Sequence, residues 1–342
     1  MSNNQVQTNT LTKEKTNKYD SDENFVTVKN LKKYFPIGLK GTTRQYVKAV
    51  DDVSFTIKKG TTMGLVGESG CGKTTVGRTM LRLYPITEGE VYFSGKKIND
   101  LSRKNLRKLR PRMQMIFQDP YSSLSPRMPV GEIIAEAVRE HDIVPKDELE
   151  QYVAQVMNSC GLPYQYARRY PHEFSGGQRQ RICIARAVAL KPDFIICDEP
   201  VSALDVSIQA QIINLLQDLQ TEFGYTYLFI SHDLSVVEYI SDTIGVMYLG
   251  SLVEFGDKRE IFEKPMHPYT QALLSAVPVP DPDFKMERVI LEGDIPSPVN
   301  PPSGCKFRTR CKYATDVCAQ VIPQFKEYEP AHEVACHLYP QD

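Results

Sequence analysis

An α/β fold is predicted by three features of the chain. Apolar runs of strand length recur along it, with helical stretches between them. The central runs are apolar throughout, as strands buried on both faces of a sheet are. One of them, "TMGLV" (62–66), runs directly into a glycine-rich loop followed by a helical pattern.

In order, the predicted strands are "FVTV" (25–28), "VSFTI" (53–57), "TMGLV" (62–66), "EVYF" (90–93), "MQMIF" (113–117), "FIICD" (194–198), "TYLFIS" (226–231) and "IGVMYL" (244–249). Residues 121–187 lack such runs and read as helices, chiefly "VGEIIAEAVREH" and "ELEQYVAQVMNSCG", so a helical subdomain is expected there. Nine prolines between Pro265 and Pro302 are expected to exclude regular packing and to mark a boundary. The divisions expected are a disordered lead-in over 1–24, a nucleotide-binding domain over 25–263 and a Pro- and Cys-rich extension over 264–342.

Composition narrows the function. Lys plus Arg (41) nearly cancel Asp plus Glu (42), so no global field recruits nucleic acid or an anionic membrane. No apolar run reaches the length of a membrane span. The N-terminus, "MSNNQVQTNTLTKEKTNKYDSDEN", has no apolar signal core, so the chain is expected to stay in the compartment where it was made. Such a compartment keeps thiols reduced, and the eight cysteines are not expected to form disulfides.

The loop "GESGCGKTT" (67–75) is a phosphate cradle. Gly67, Gly70 and Gly72 let the backbone turn its N–H groups inward around phosphate oxygens, with the next helix's N-terminus adding its dipole. Lys73 supplies a cation to the outer phosphates, Thr74 a hydroxyl for Mg²⁺, and Glu68, Ser69, Cys71 and Thr75 complete the ATP-binding loop. In "FIICDEP" (194–200) an apolar strand delivers Asp198 to its carboxyl end as an Mg²⁺ ligand. Glu199 follows as the general base for an attacking water. The guanine-reading pattern "NKYD" (17–20) precedes the cradle, within the polar lead-in, and is accidental.

A second anion cradle lies roughly a hundred residues on. In "FSGGQRQR" (174–181), Ser175 is placed as a helix N-cap, and Gly176 and Gly177 expose N–H groups. The chain's own loop already surrounds its triphosphate, which leaves this cradle for another molecule's γ-phosphate.

These segments, with "SALD" (202–205) and His232 in "FISHD", occur in the order of an ABC-transporter ATPase domain, and the chain resembles that family over about residues 25–262. The resemblance implies a P-loop ABC ATPase fold, with a mixed sheet core and a helical subdomain. It implies that Ser175, Gly176, Gly177 and Gln178 contact ATP held by a partner ATPase. Gln118 is implied as a residue sensing Mg²⁺ and water, His232 as a γ-phosphate switch, and Asp205 as a dimer-interface aspartate. Phe35 in "LKKYFP" is implied as the aromatic stacking on adenine, with Tyr34 the alternative and core packing the rival role for either. Phe174 stands where this family often has Leu, an apolar exchange outside the chemistry.

One ATPase set and no sustained heptads separate the chain from translation-factor and chromosome-maintenance ABC proteins. "DPYSSLSPRM" (119–128) and "HPYTQALLSAVPVPDP" (267–282) resemble the ATPases of the peptide/nickel importer family, apart from Ser125 where Asn is expected. That resemblance implies a peripheral subunit on the cytoplasmic face of the membrane. It would pair with a paralogous ATPase, dock two transmembrane permeases, and serve an extracellular solute-binding protein indirectly. Its solute would be an oligopeptide or dipeptide, or alternatively nickel or another small solute.

Four cysteines, Cys305, Cys311, Cys318 and Cys336, are spaced C-x5-C-x6-C-x17-C near the C-terminus. Structural zinc usually brings ligands in pairs about two to four residues apart, narrower than these, although His332 and His337 near Cys336 keep Zn²⁺ open. Four thiolates at uneven spacing suit a [4Fe–4S] cluster, which the resemblance also implies, and metal-free reduced thiols are the third reading.

Overall fold

The computed structural model describes residues 24–40, 43–277 and 289–341. The "NKYD" pattern, nearly all of the lead-in and Pro278, Pro280 and Pro282 lie outside the described residues.

The chain begins with β1 (Asn24–Lys40), β2 (Thr43–Lys58) and β3 (Thr62–Val66), then α1 (Lys73–Met80), β4 (Glu88–Phe93) and β5 (Lys96–Lys97). There follow α2 (Arg103–Leu109), β6 (Met113–Ile116) and the helices α3 (Pro120–Ser123), α4 (Val130–Glu140), α5 (Leu149–Ser159) and α6 (Gly176–Val188). Next come β7 (Phe194–Asp198), α7 (Val206–Phe223), β8 (Thr226–Ile230), α8 (Leu234–Ile240), β9 (Thr243–Tyr248) and β10 (Ser251–Asp257). The last elements are α9 (Lys258–Glu263), α10 (Pro268–Leu274), α11 (Asp316–Gln320), β11 (Lys326–Glu329) and β12 (His332–Val334).

Two sheets result. A four-stranded antiparallel sheet has the order β2-β1-β4-β5, and an eight-stranded mixed sheet the order β11-β12-β10-β9-β3-β8-β7-β6. Strands β6, β7, β8, β3 and β9 are parallel, and β3, β7 and β8 are buried along their whole length. Parallel strands need cover on both faces, which explains their unbroken apolar runs. One face packs with α1 and the four-stranded sheet around Val28, Leu31, Val76 and Met80. The other packs with α4 to α8, where Ile134, Ile182, Ile184 and Leu216 are fully buried.

Strand β10 departs from the reading of the sequence. Glu254 interrupts its apolar pattern, yet this residue is fully buried and bonded to His332 of β12 at 2.7 Å. The expectation that the proline-rich stretch excludes regular packing is corrected by α10. Pro268 occupies its first turn, where no N–H is needed, and His267 Nδ1 caps it by accepting from Tyr269 N at 3.1 Å. The extension joins the main sheet, where β12 pairs with β10.

Candidate nucleotide site

The phosphate loop leaves β3 at Val66 and enters α1 at Lys73, at the carboxyl ends of the parallel strands where open α/β sheets bind ligands. Glycine is required here by close approach. A Cβ on Gly67 (φ 148°) would lie 2.2 Å from the Met247 carbonyl oxygen, and one on Gly72 (φ 110°) 2.1 Å from that of Ala49. A cavity of about 370 Å³ opens over the loop, lined by Ser69, Gly70, Gly72, Lys73, Thr74 and Thr75. Gln118, Glu199 and His232 line it too, although three different strands deliver them. Val47, Lys48, Ala49, Leu249, Gly250 and Pro298 complete the wall. These last six carry no local motif, so nothing in the sequence singled them out.

The Lys73 ammonium is buried and donates to the carbonyls of Gly67 and Glu68 at 2.7 and 3.1 Å. Thr74 Oγ1 donates to Asp198 Oδ1 at 2.6 Å. Asp198 is fully buried, its Oδ2 accepts no hydrogen bond among the described residues, and Arg78 Nη2 stands 3.7 Å from that oxygen. Burial pushes its carboxyl above the ordinary value, while the Thr74 hydroxyl and Arg78 pull it down. A buried carboxylate oxygen without a donor, beside a hydroxyl and a phosphate loop, fits a divalent cation.

Glu199 Oε2 accepts from Gln118 Nε2 at 2.8 Å and lies 3.4 Å from His232 Nδ1. The three side chains expected to handle water and γ-phosphate are therefore in mutual reach at the cavity edge. Glu199 adopts φ 48°, a left-handed conformation that costs a non-glycine residue about 1–3 kcal/mol. Its N–H bonds the Ile230 carbonyl at 2.9 Å, which holds the turn after β7 against β8.

Other expected residues lie elsewhere. Phe35 does not line the cavity; it packs edge-on against Tyr84 with centroids 5.3 Å apart. Tyr34 is also absent from the cavity wall and donates its hydroxyl to Asp51. Cys71 is buried beneath the loop, and Glu68 turns its carboxylate to Arg310, away from the cavity. Ser175 caps α6, with Gln178 N to Ser175 Oγ at 3.4 Å and the reciprocal Ser175 N to Gln178 Oε1 at 3.0 Å. Ser175 and Gly176 are exposed, as is Asp205 at the start of α7, and none of them lines this chain's cavity.

The tail cysteines influence one another electrostatically. Cys336 feels the charge of Cys305, Cys311 and Cys318, and burial pushes its thiol up to about 11. Cys305 and Cys311 are raised as well, by burial first and then by their neighbours, and Cys305 N donates to Cys318 O at 2.8 Å. Of the two histidines, His332 bonds Glu254 through Nε2 and keeps its Nδ1 buried without a hydrogen-bond partner among the described residues, and His337 Nε2 meets the Val321 carbonyl at 2.9 Å. Among the described residues, Glu260, Glu329 and His332 each bring one possible ligand atom within 4.8 Å of the others. Lys264 Nζ stands 3.4 and 3.8 Å from the carboxylates of that trio.

Comparison with known proteins gives the family. Residues 50–202 match the ABC transporter family, and residues 253–318 match the oligopeptide/dipeptide transporter C-terminal region. The oligopeptide transport ATP-binding protein AppF of Bacillus subtilis is 56% identical over 324 residues, 93% of this chain and 98% of that protein. The putative oligopeptide transport ATP-binding protein YkfD of the same organism is 54% identical over 91% of this chain and 94% of its own. Among solved structures, the dimeric ATP-binding cassette MJ0796 bound to ADP and Pi superposes with a TM-score of 0.61 at 30% identity. It covers 68% of this chain and 99% of its own. The chain belongs to the ABC transporter family of ATP-binding subunits, in the branch that carries the oligopeptide/dipeptide transporter C-terminal region.

Proposed function

We propose that the chain hydrolyses ATP in the cavity over the phosphate loop, as one half of a paired site, to energise import of short peptides. The observation that carries this is the meeting of Gln118, Glu199 and His232 at the edge of a cradle that already holds Lys73 and Thr74. Lys73 neutralises the outer phosphates. Thr74 and Asp198, with Gln118, would hold Mg²⁺, which when bound neutralises charge on the phosphate oxygens. Glu199 accepts a proton as water attacks the γ-phosphorus and the bond to ADP breaks, and Gln118 and His232 orient Glu199 and the γ-phosphate. Phe35 lies off the cavity wall, and Val47 and Pro298 are better placed than it for an apolar contact with adenine.

The capped start of α6, Ser175 to Gln178, exposed at Ser175 and Gly176, suits the γ-phosphate bound by a paralogous ATPase, with Asp205 at the same interface. ATP-binding subunits of peptide importers work with transmembrane permeases, and the 121–187 helices are proposed as the permease dock on the cytoplasmic side. No helix among the described residues is long and apolar enough to cross a membrane, which suits a peripheral subunit. The thiols at 305, 311, 318 and 336 are proposed to hold a [4Fe–4S] cluster. Four thiols at uneven spacing, wider than the paired ligands of structural zinc, are what support that reading.

Deletion of the gene, followed by uptake of labelled short peptide and labelled nickel, tests the solute. Peptide uptake is expected to be lost and nickel uptake kept. Unchanged peptide uptake, with redundant systems removed, rejects the peptide reading.

A further inference from the structure

Every polar group of Glu68 in the phosphate loop is engaged, and two of its partners come from beyond residue 263. Arg310 grips the carboxylate in a fork, Nη1 to Oε2 at 2.8 Å and Nη2 to Oε1 at 3.2 Å. The Tyr269 hydroxyl accepts the Glu68 N–H at 2.8 Å. On its other side, the Glu68 carbonyl accepts from Cys71 N at 3.2 Å and from the Lys73 ammonium at 3.1 Å. The backbone that seats Lys73 is thus held from behind by the C-terminal region.

Arg310 is itself fixed. Its side chain is 8% exposed, and three residues earlier Phe307 is buried against Tyr248 and Tyr269, with ring centroids 5.2 and 5.4 Å away. Lys306 Nζ reaches Asp51 Oδ2 at 2.8 Å and Ser251 Oγ at 2.7 Å, and Asp51 also accepts the Tyr34 hydroxyl. Pro298 lines the nucleotide cavity, and its carbonyl accepts Lys48 N at 3.0 Å. The extension therefore meets the site at the phosphate loop and again along β2.

We propose that Arg310, with Tyr269, is a positioning residue for ATP: the Arg310–Glu68 fork sets the phosphate loop, so the extension is a working part of the nucleotide site. A bidentate guanidinium–carboxylate pair fixes direction as well as distance, which a lysine point charge does not. The proposal rests on reading the cavity as the ATP site, and Lys73→Ala in the same assay tests that reading separately.

The experiment measures binding of a fluorescent ATP analogue to the full-length protein, and KM and kcat for ATP in the assembled transporter. Arg310→Ala is expected to weaken binding and raise KM about tenfold with kcat at saturation little changed, and Arg310→Lys to fall between. Glu68→Ala should match Arg310→Ala, and the double variant should be no worse than either, because the two act through one contact. A folded Arg310→Ala with unchanged affinity and KM overturns the proposal, as do fully additive effects of the two substitutions. Should Arg310→Ala not fold, Glu68→Gln keeps the shape and removes the charge; it is expected to weaken binding likewise, and unchanged affinity there overturns the proposal. If Lys73→Ala also binds ATP normally, the site reading fails; if Lys73→Ala alone loses ATP, only the positioning claim fails.

Discussion

Glu199 holds its place at the end of β7 in a left-handed conformation, with Gln118 and His232 converging on the same carboxylate oxygen. The motif letters made each of the three legible in the sequence, but not their mutual contact, because 81 residues separate Gln118 from Glu199. If both partners serve to orient Glu199, Gln118→Ala and His232→Ala should each lower kcat by about 10²–10³-fold, with ATP affinity nearly unchanged. Rapid-mixing ATPase assays beside equilibrium ATP binding would check this, and a matching loss of affinity would assign them to binding instead. Phe35 was the least legible residue. An aromatic in a strand has the same pattern whether it stacks on adenine or packs edge-on against Tyr84, and only packing distinguishes the two. His267 was not singled out at all, yet burial lowers its pKa from an ordinary 6.5 to about 4, with Glu254 opposing the shift. Above the ordinary value both folded and unfolded chains carry neutral imidazole. As pH falls, the unfolded chain takes up a proton that the folded one refuses, so stability is lost progressively down to about pH 4. The loss is about 3 kcal/mol at most. Denaturant titrations across that window should show the fall, and His267→Asn should flatten it.

At the scale of elements, the strands bearing the chemistry were the most legible. Both faces of β3, β7 and β8 are buried, so their sequences are unbroken apolar runs. Strand β10 and helix α10 were hidden for opposite reasons. A buried Glu254 satisfied from β12 breaks the apolar pattern, and prolines that read as breakers include one that suits a first helical turn. Helix α6 was legible from its cap, and its first turn gives the sharpest test of a partner-facing role. A Cβ on Gly177 would approach Ile208 Cγ2 to 2.5 Å, whereas one on Gly176 meets only Leu204 Cδ2 at 3.4 Å. Gly176→Asp is therefore the cleaner probe, since it adds a carboxylate with little packing cost. It should leave ATP binding to the isolated subunit intact and suppress hydrolysis in the assembled pair by repelling the other subunit's γ-phosphate. Loss of ATP binding in the isolated subunit, to the degree Lys73→Ala causes, would contradict that role.

For the whole molecule, the sequence suggested an ATPase domain followed, across a proline-rich boundary, by a Cys-rich extension, and the fold packs the two together. Strand β12 extends the main sheet and Phe307 enters the aromatic packing around Tyr248, contacts between residues too distant in sequence to be read from it. Anaerobic purification with iron and sulfide analysis should find about four of each per chain if the thiols hold a [4Fe–4S] cluster. Iron-free protein with stoichiometric zinc would reverse that assignment, and metal-free protein would leave four reduced thiols. The central claim is that hydrolysis at this cavity drives peptide import, and Glu199→Gln tests it most directly, because it removes the base while sparing Lys73, Thr74 and Asp198. In the reconstituted transporter, ATP should still bind and an ATP-bridged subunit pair should accumulate, while hydrolysis and peptide uptake fall together. Near-normal hydrolysis and uptake by Glu199→Gln would contradict the account.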